Sequence, residues 1–321
     1  MGGREVCPPE WGMGRESIVQ HDVPMVIQAR PRTERASKCS RAASFGLAGV
    51  CGLLASCGQG VLDPHGPVGQ AERIILSDAT AIMLAVVGPV IALTLIFAWW
   101  FRAGNKRAKY RPDWEYSGRI EMIVWSIPAL VILFLGGIAW ISSHELDPPR
   151  PLSARPALEV EVIALDWRWL FIYPEHGIAS LNRLAVPTGV PIHFKLTATS
   201  VMNSFFIPQL GSQIYCMPGM TTQLNLQADD AATYQGLSAQ YSGDGFSDMR
   251  FTVEATSPEE FQQWIDRTRA QEGALNLSTF VRLAKPAHAG APATYSRVDP
   301  ELFQEVATGR LATRWSPEEA R

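Results

Sequence analysis

Residues 79–101, ATAIMLAVVGPVIALTLIFAWWF, and residues 122–143, MIVWSIPALVILFLGGIAWISS, contain no Asp, Glu, Lys or Arg. A helix rises 1.5 Å per residue, so either segment is long enough to cross a hydrocarbon core of about 30 Å. Trp99 and Trp100 close the first segment in the manner of an aromatic belt at a membrane interface. The sequence therefore predicts two transmembrane helices, 79–101 and 122–143, that form a hairpin.

The charged residues all lie outside these two segments. The chain of 321 residues has 28 Lys and Arg against 31 Asp and Glu, a net charge of −3, and its mean hydropathy is only +0.02. That average combines an apolar anchor with a remainder of ordinary water-soluble composition. The composition and the charge balance exclude a disordered chain, a polytopic carrier with many spans, and a nucleic-acid binder built on a basic excess.

The loop 102–121 between the spans is strongly basic, whereas the outer flanks are mainly acidic. Its cations are Arg102, Lys106, Arg107, Lys109, Arg111 and Arg119. The positive-inside rule therefore places this loop in the cytoplasm. The segment 57–78 and everything from residue 144 onward are then expected on the outer side.

Residues 1–56 have the pattern of an export signal, with basic residues followed by a short apolar run. The run ends Leu54-Ala55-Ser56-Cys57, which resembles a bacterial lipoprotein signal and predicts lipidation of Cys57. A plain signal peptide with an incidental Cys, or a start codon further along at Met25, are the alternatives. Cleavage would leave only Cys57 and Cys216. Lipidation of Cys57 would then leave Cys216 without a partner thiol, so we expect no disulfide framework.

Residues 144–257 show short runs of alternating polar and apolar residues. These runs lie at 159–163, 192–196, 224–226 and 249–254, separated by turn residues, and predict an antiparallel β-sandwich or barrel. Ser257 to Glu260 form a capping box that predicts a helix at the start of the segment 258–321. The remainder, 273–321, is rich in Ala, Pro and Arg, and is expected to hug the surface or to be poorly ordered.

No catalytic constellation is visible in these residues. None of the six His has another His or a Cys at metal-binding spacing, and nucleophile-elbow, Walker and dinucleotide motifs are absent from the sequence. The residues by themselves describe a lipid-anchored structural or binding module with an external β-domain.

Two stretches carry a resemblance to a known family. Residues 166–174, DWRWLFIYP, and 201–212, VMNSFFIPQLGS, strongly resemble subunit II of the haem–copper terminal oxidases. The resemblance implies a two-helix transmembrane hairpin followed by a periplasmic all-β cupredoxin-like barrel with C-terminal helices. It also implies a bacterial inner-membrane location.

Cytochrome c oxidase members of this family hold a binuclear copper centre with a His, then Cys-x-Glu-x-Cys-x3-His-x2-Met on a later loop. Two thiolates and two imidazoles suit such a soft copper pair. The matching positions here are Asn203, Ser238, Gln240, Ser242 and Phe246, and only Met249 agrees with the pattern. The resemblance therefore predicts that no metal binds to this chain.

A subunit II without copper resembles the bo-type quinol oxidase branch. That branch implies that the haems, the copper and the quinol pocket belong to subunit I, and that the partners are subunits I, III and IV together with membrane lipid. Nucleic acid is not expected as a partner. The alternatives are a copper-bearing cytochrome c oxidase subunit and a lipid-anchored binding module unrelated to respiration.

The resemblance also assigns roles to single residues. Glu121 begins the second span, and the following Val124-Trp125-Ser126-Ile127-Pro128 aligns it with a glutamate at the cytoplasmic entrance of a proton pathway. Trp167 and Trp169 match an aromatic run near the electron entry of the copper-bearing branch. Without copper, both indoles are expected to pack against the catalytic subunit.

Overall fold

The computed structural model describes residues 60–109, 111–287 and 290–310. The predicted signal 1–56 and the predicted lipidation site Cys57 lie outside these residues. The described part contains five α-helices: α1 Pro67–Trp100, α2 Gly118–Glu145, α3 Pro258–Arg269, α4 Leu277–Ala284 and α5 Leu302–Ala307.

Helices α1 and α2 are both long and apolar enough to cross a membrane, and they contact each other. Helix α1 begins at Pro67, twelve residues before the uncharged segment, and its 34 residues span about 51 Å. Proline suits this first helical position because its missing N–H would have no intrahelical partner. Pro89 and Pro128 lie inside the two helices.

The strands form two main sheets and one short pair. They are β1 Leu158–Ala164, β2 Trp169–Tyr173, β3 Ile178–Leu181, β4 Arg183–Pro187, β5 Pro191–Ala198, β6 Asn203–Ile207, β7 Gly211–Cys216, β8 Thr222–Gln227, β9 Ala232–Ser238, β10 Arg250–Thr256, β11 Ala274–Leu275, β12 Ala293–Tyr295 and β13 Arg297–Val298. One sheet has the order β12-β3-β2-β1-β5-β8 and the other has the order β4-β10-β9-β6-β7. Strands β11 and β13 pair separately.

The four alternating runs of the sequence lie in β1, β5, β8 and β10, as predicted. The expectation of a purely antiparallel domain was wrong, however, because β1 pairs with β5 in parallel and β10 pairs with β4 in parallel. Alternation reports that one face of a strand is buried and carries no information about the direction of the neighbouring strand. The result is a mixed, cupredoxin-like β-domain.

Aromatic rings fill the core between the two sheets. Phe205 and Phe251 stack with ring centroids 5.1 Å apart, and Trp169 meets Phe205 edge-on at 5.3 Å. Phe171 and Phe194 pack against the same pair. All five side chains are buried, so this cluster supplies much of the hydrophobic stabilisation that holds the two sheets together.

Strand β2 is buried on both of its faces. Trp169, Phe171 and Tyr173 point into the core between the sheets, whereas Leu170 and Ile172 belong to a second apolar cluster on the opposite side. Successive residues of a strand face opposite sides, so this second cluster must be covered by another part of the chain.

The C-terminal segment provides that cover. Phe280 of α4 and Phe303 of α5 are buried against Leu170 and Ile172. The Arg168 guanidinium donates to the carbonyl oxygens of Leu283 at 2.7 Å and Lys285 at 3.0 Å, which fixes the segment to the end of β2. Of the two alternatives expected for residues 273–321, packing on the surface of the domain is therefore the one found in the described residues 274–287 and 290–307.

Hydrogen bonds from side chains cap the N-termini of two of the C-terminal helices. The predicted capping box at the start of α3 is confirmed, with reciprocal bonds between Ser257 and Glu260. In α4, Asn276 Oδ1 accepts a hydrogen bond from the Thr279 N–H at 2.9 Å. These short helices thus begin at defined residues.

The start of α1 packs directly on the β-domain. The His65 N–H donates to the Gln209 carbonyl at 2.7 Å, and the His65 carbonyl accepts from the Asp229 N–H at 2.8 Å. One turn into the helix, Glu72 accepts a hydrogen bond from the Ser212 hydroxyl. Hairpin and domain are therefore joined by specific hydrogen bonds as well as by the chain.

Candidate functional site

Two of the six positions that correspond to copper ligands meet at one end of the five-stranded sheet. Asn203 begins β6 and Ser238 ends β9, and both side chains are buried. The Ser238 hydroxyl donates to Asn203 Oδ1 at 3.3 Å, and Asn203 Nδ2 donates to the Val201 carbonyl at 3.1 Å. The two polar side chains thus satisfy each other and the backbone, with no need of an added ligand.

The β9–β10 loop carries the remaining positions and is packed against Trp167. The indole N–H of Trp167 donates to the Ser242 carbonyl at 3.0 Å. A Cβ atom on Gly243 or Gly245 would lie 2.9 Å and 2.5 Å, respectively, from the indole ring. Two glycines therefore let the ring lie flat on the loop where larger residues would collide with it.

The other side chains of this loop point in different directions. Gln240 is exposed, and Phe246 packs edge-on against Tyr241 with centroids 5.7 Å apart. Met249 is buried in the core between the sheets. These groups do not converge on a common point in the way that metal ligands must.

Cys216 lies nearer to this site than its position in the sequence suggested. It ends β7 directly opposite Asn203 in the β6–β7 register. Its thiol is buried, and burial raises the pKa of Cys216, which keeps the sulfur protonated. A single neutral thiol is a poor copper ligand, since the thiolate is the form that binds metal.

The donor chemistry of this site does not fit a binuclear copper centre. Hydroxyls, an amide and a phenyl ring cannot replace bridging thiolates and imidazoles. Within residues 60–109, 111–287 and 290–310, no three His, Cys, Asp or Glu side chains are grouped so as to hold a metal ion. We therefore derive no redox step through this domain.

Trp169 does not have the role that the sequence suggested. Its side chain is fully buried among Phe205 and Phe251, so it cannot pack against another subunit, and that prediction was wrong. Both faces of strand β2 are covered by other parts of the chain, so neither face is open to a partner subunit. Trp167, which is only partly buried, packs on the β9–β10 loop instead.

Glu121 lies far from this site in the chain, in the first turn of α2. Its carboxyl is exposed, and its backbone N–H donates to the Ser117 carbonyl at 3.0 Å. A helix N-terminus favours a negative charge, so the carboxylate suits this position electrostatically. It stands at the end of the basic loop 102–121.

Two family models match the chain. The model for the periplasmic domain of cytochrome c oxidase subunit II matches residues 175–256, and the model for the COX aromatic rich motif matches residues 269–308. The first covers most of the sandwich, and the second covers the C-terminal segment that packs on strand β2.

Relatives match over most of the length of the chain. Cytochrome bo(3) ubiquinol oxidase subunit 2 of Pseudomonas aeruginosa is 49% identical over 257 residues, which is 80% of this chain and 78% of the relative. Ubiquinol oxidase subunit 2 of Acetobacter aceti is 47% identical and covers 83% and 88%. Quinol oxidase subunit 2 of Bacillus cereus is 32% identical and covers 72% and 80%.

These matches agree with the architecture. Two apolar helices precede a periplasmic cupredoxin-like domain, which is the arrangement of an inner-membrane oxidase subunit. With this fold and this degree of identity along most of its length, the chain belongs to the quinol oxidase subunit II family of the haem–copper oxidases.

Proposed function

We propose that this chain is the subunit II of a proton-pumping quinol oxidase, which oxidises quinol and reduces oxygen to water, and that it carries no redox centre itself. The haems, the copper and the quinol pocket would belong to subunit I. The observation that carries the proposal is the set of side chains at the copper-ligand positions, where Asn203 and Ser238 bond to each other. Electrons from a membrane quinol need no periplasmic copper relay.

The chain would then act as a support for the catalytic subunit. The hairpin formed by α1 and α2 presents exposed apolar side chains along both spans, a surface suited to lipid and to neighbouring membrane helices. The β-domain would cover the periplasmic face of subunit I. Subunits III and IV are proposed as further partners on the strength of the family alone.

The segments of the chain receive matching roles in this proposal. Residues 1–56 would be removed as a signal, Cys57 would be lipidated, and 57–78 would lie in the periplasm. The spans would be 79–101 and 122–143, joined by the cytoplasmic loop 102–121. The domain 144–257 and the segment 258–321 would follow outside the membrane.

The proposal is tested by purifying the complex through a tag on this chain. We expect haem-containing partners, quinol oxidase activity, no cytochrome c oxidase activity, and no near-infrared band of a binuclear copper centre. Cytochrome c oxidase activity with that band would instead support a copper-bearing subunit. Isolation from solubilised membranes without any haem protein would support a binding module unrelated to respiration.

Glu121 is proposed to attract protons to the cytoplasmic entrance of a proton pathway. Its exposed carboxyl at the N-terminus of α2 supports this role, because a surface charge raises the local concentration of the opposite ion. Glu121→Gln should slow quinol oxidation by about two- to tenfold at low ionic strength. Glu115→Gln removes an exposed carboxylate from the same loop and is the matched control; equal rates for both variants would refute the role.

A further inference from the structure

A cavity of about 640 Å³ opens at the cytoplasmic end of α1. Aromatic side chains of Phe101 and Trp114 line it, together with the cationic side chains of Arg102, Lys109 and Arg111. No carboxylate is found among the described residues that line it. The cavity therefore combines apolar walls with three positive charges.

The backbone around the cavity is held in place by Asn105. Its Nδ2 donates to the Trp100 carbonyl at 2.6 Å, and its Oδ1 accepts from the Arg107 N–H at 3.1 Å. The Asn105 N–H also donates to the Arg102 carbonyl at 2.9 Å. One side chain thus folds the loop back against the last turn of α1, so the cavity is formed by the chain itself.

The charges in the cavity have no carboxylate partner among the described residues. The Arg102 guanidinium lies 4.9 Å from the centroid of the Trp99 ring and donates to the Trp99 carbonyl at 3.5 Å. A guanidinium has five N–H donors, so most of them are left for another acceptor. Among the described residues, no carboxylate forms an ion pair with Arg102, Lys109 or Arg111.

The depth of the cavity relative to the membrane indicates which kind of group neutralises these charges. Trp99 and Trp100 end the first span, and such aromatic belts lie at the depth of the lipid headgroups. Arg102 follows after Phe101, on the cytoplasmic side. Basic pockets at this level bind the headgroups of acidic lipids. We infer that the cavity binds the phosphate headgroup of an anionic phospholipid from the cytoplasmic leaflet.

This inference goes beyond the proposed function and depends only on the membrane topology of the hairpin. It is tested on the intact complex, solubilised and exchanged into mixtures of phosphatidylglycerol and phosphatidylcholine, by counting the bound lipids with native mass spectrometry. Arg102→Gln/Arg111→Gln removes two charges from the cavity. Lys106→Gln/Arg107→Gln removes two charges from the same loop that do not line the cavity, and is the matched control.

The wild type should retain phosphatidylglycerol in preference to phosphatidylcholine. A cation that contacts the headgroup contributes about fivefold to the affinity for an acidic lipid, so the cavity variant should weaken retention by about 25-fold. Lys106 and Arg107 do not line the cavity, so the control should weaken retention far less. Arg102→Lys/Arg111→Lys keeps both charges and should restore most of the binding. Equal losses in the cavity variant and the control would overturn the inference.

A second outcome would also overturn it. If the cavity variant loses a neighbouring subunit while phosphatidylglycerol stays bound, the cavity is a contact for an acidic protein surface. Should the glutamine variant fail to assemble, the wild type is titrated with salt, which screens exposed charges. Retention of phosphatidylglycerol that does not weaken with salt would contradict a phosphate site built on Arg102, Lys109 and Arg111.

Discussion

Glu161 should make the stability of the β-domain depend on pH. It lies in β1, beside Lys195 in the parallel β1–β5 register. Burial raises the pKa of Glu161 to about 7, and the charge of Glu159 adds to this shift, whereas Lys195 opposes it. Lys195 pairs with Glu159, so its charge is shared between two carboxylates.

The direction of the effect follows from proton binding. Between the ordinary pKa of 4.5 and the raised pKa of about 7, the unfolded chain releases the proton of Glu161 and the folded chain keeps it. Folding then takes up a proton, so stability falls as the pH rises through this range. Below the range the carboxyl is neutral in both states and has no effect.

The size of the effect can be bounded. A shift from 4.5 to about 7 corresponds to at most about 3.5 kcal/mol at about 1.4 kcal/mol per pKa unit. The side chain is only partly buried, so solvent screens the charge and we expect about 1–2 kcal/mol. Glu161→Gln has no charge to bury and should be more stable than the wild type by this amount at about pH 8.

The assay is thermal unfolding of the intact chain in detergent, followed by tryptophan fluorescence between about pH 4 and about pH 8. Each kcal/mol raises the melting temperature of a chain of this size by about 2–4 °C. Glu272→Gln, at an exposed position outside the sheets, is the control and should leave the pH profile unchanged. A Glu161→Gln variant whose gain is the same at low and high pH would refute the reasoning.

Three further substitutions probe other contacts. Gly236→Ala should destabilise the domain by about 1–3 kcal/mol in denaturant unfolding, because its Cβ would lie 2.0 Å from the Phe251 ring. Ser257→Ala should cost about 1 kcal/mol in the same assay, because it removes the capping box of α3. His65 bonds to Asp230 at 2.9 Å, which raises the pKa of His65. The protonated His65 side chain therefore stabilises the start of α1 fully below about pH 6.5, and this stabilisation is lost as the pH rises through the raised pKa. His65→Gln should therefore speed amide hydrogen exchange at the start of α1 at acidic pH only.

Matched controls accompany these substitutions. Gly290→Ala introduces a Cβ into open space and should leave unfolding unchanged; a loss equal to that of Gly236→Ala would contradict the clash. For α3, Ser257→Asp keeps an oxygen acceptor at the cap and should restore most of the stability. For His65, faster exchange in the glutamine variant at alkaline pH as well would show that charge is not the cause.

The strands of the β-domain were predictable where one face alone is buried. Strand β1 alternates because Val160 and Val162 enter the core while Glu159 and Glu161 do not. Strand β2 shows no alternation, since all its side chains are buried. The cover on its second face comes from the later part of the chain, and the composition of that part could not distinguish packing on the surface from poor order.

The copper-ligand positions were identified from the sequence, but the contacts that close the site were not. The spacing of Asn203, Ser238 and Ser242 is readable in a motif. The hydrogen bond from Trp167 to Ser242 joins residues 75 positions apart, and such a pairing leaves no local signal. Gly243 and Gly245 were the signal in the sequence that a ring packs closely on this loop, because such an approach requires residues without a side chain.

Helix α1 determines how the β-domain is oriented with respect to the membrane. The helix continues without interruption from Pro67 into the span, so about 18 Å of rigid helix stands outside the uncharged segment. One residue inserted between Glu72 and Asp78 would turn the domain by about 100° around the helix axis and lift it by about 1.5 Å. The number of residues between Pro67 and the uncharged segment therefore sets the angle and the height at which the domain stands over the membrane.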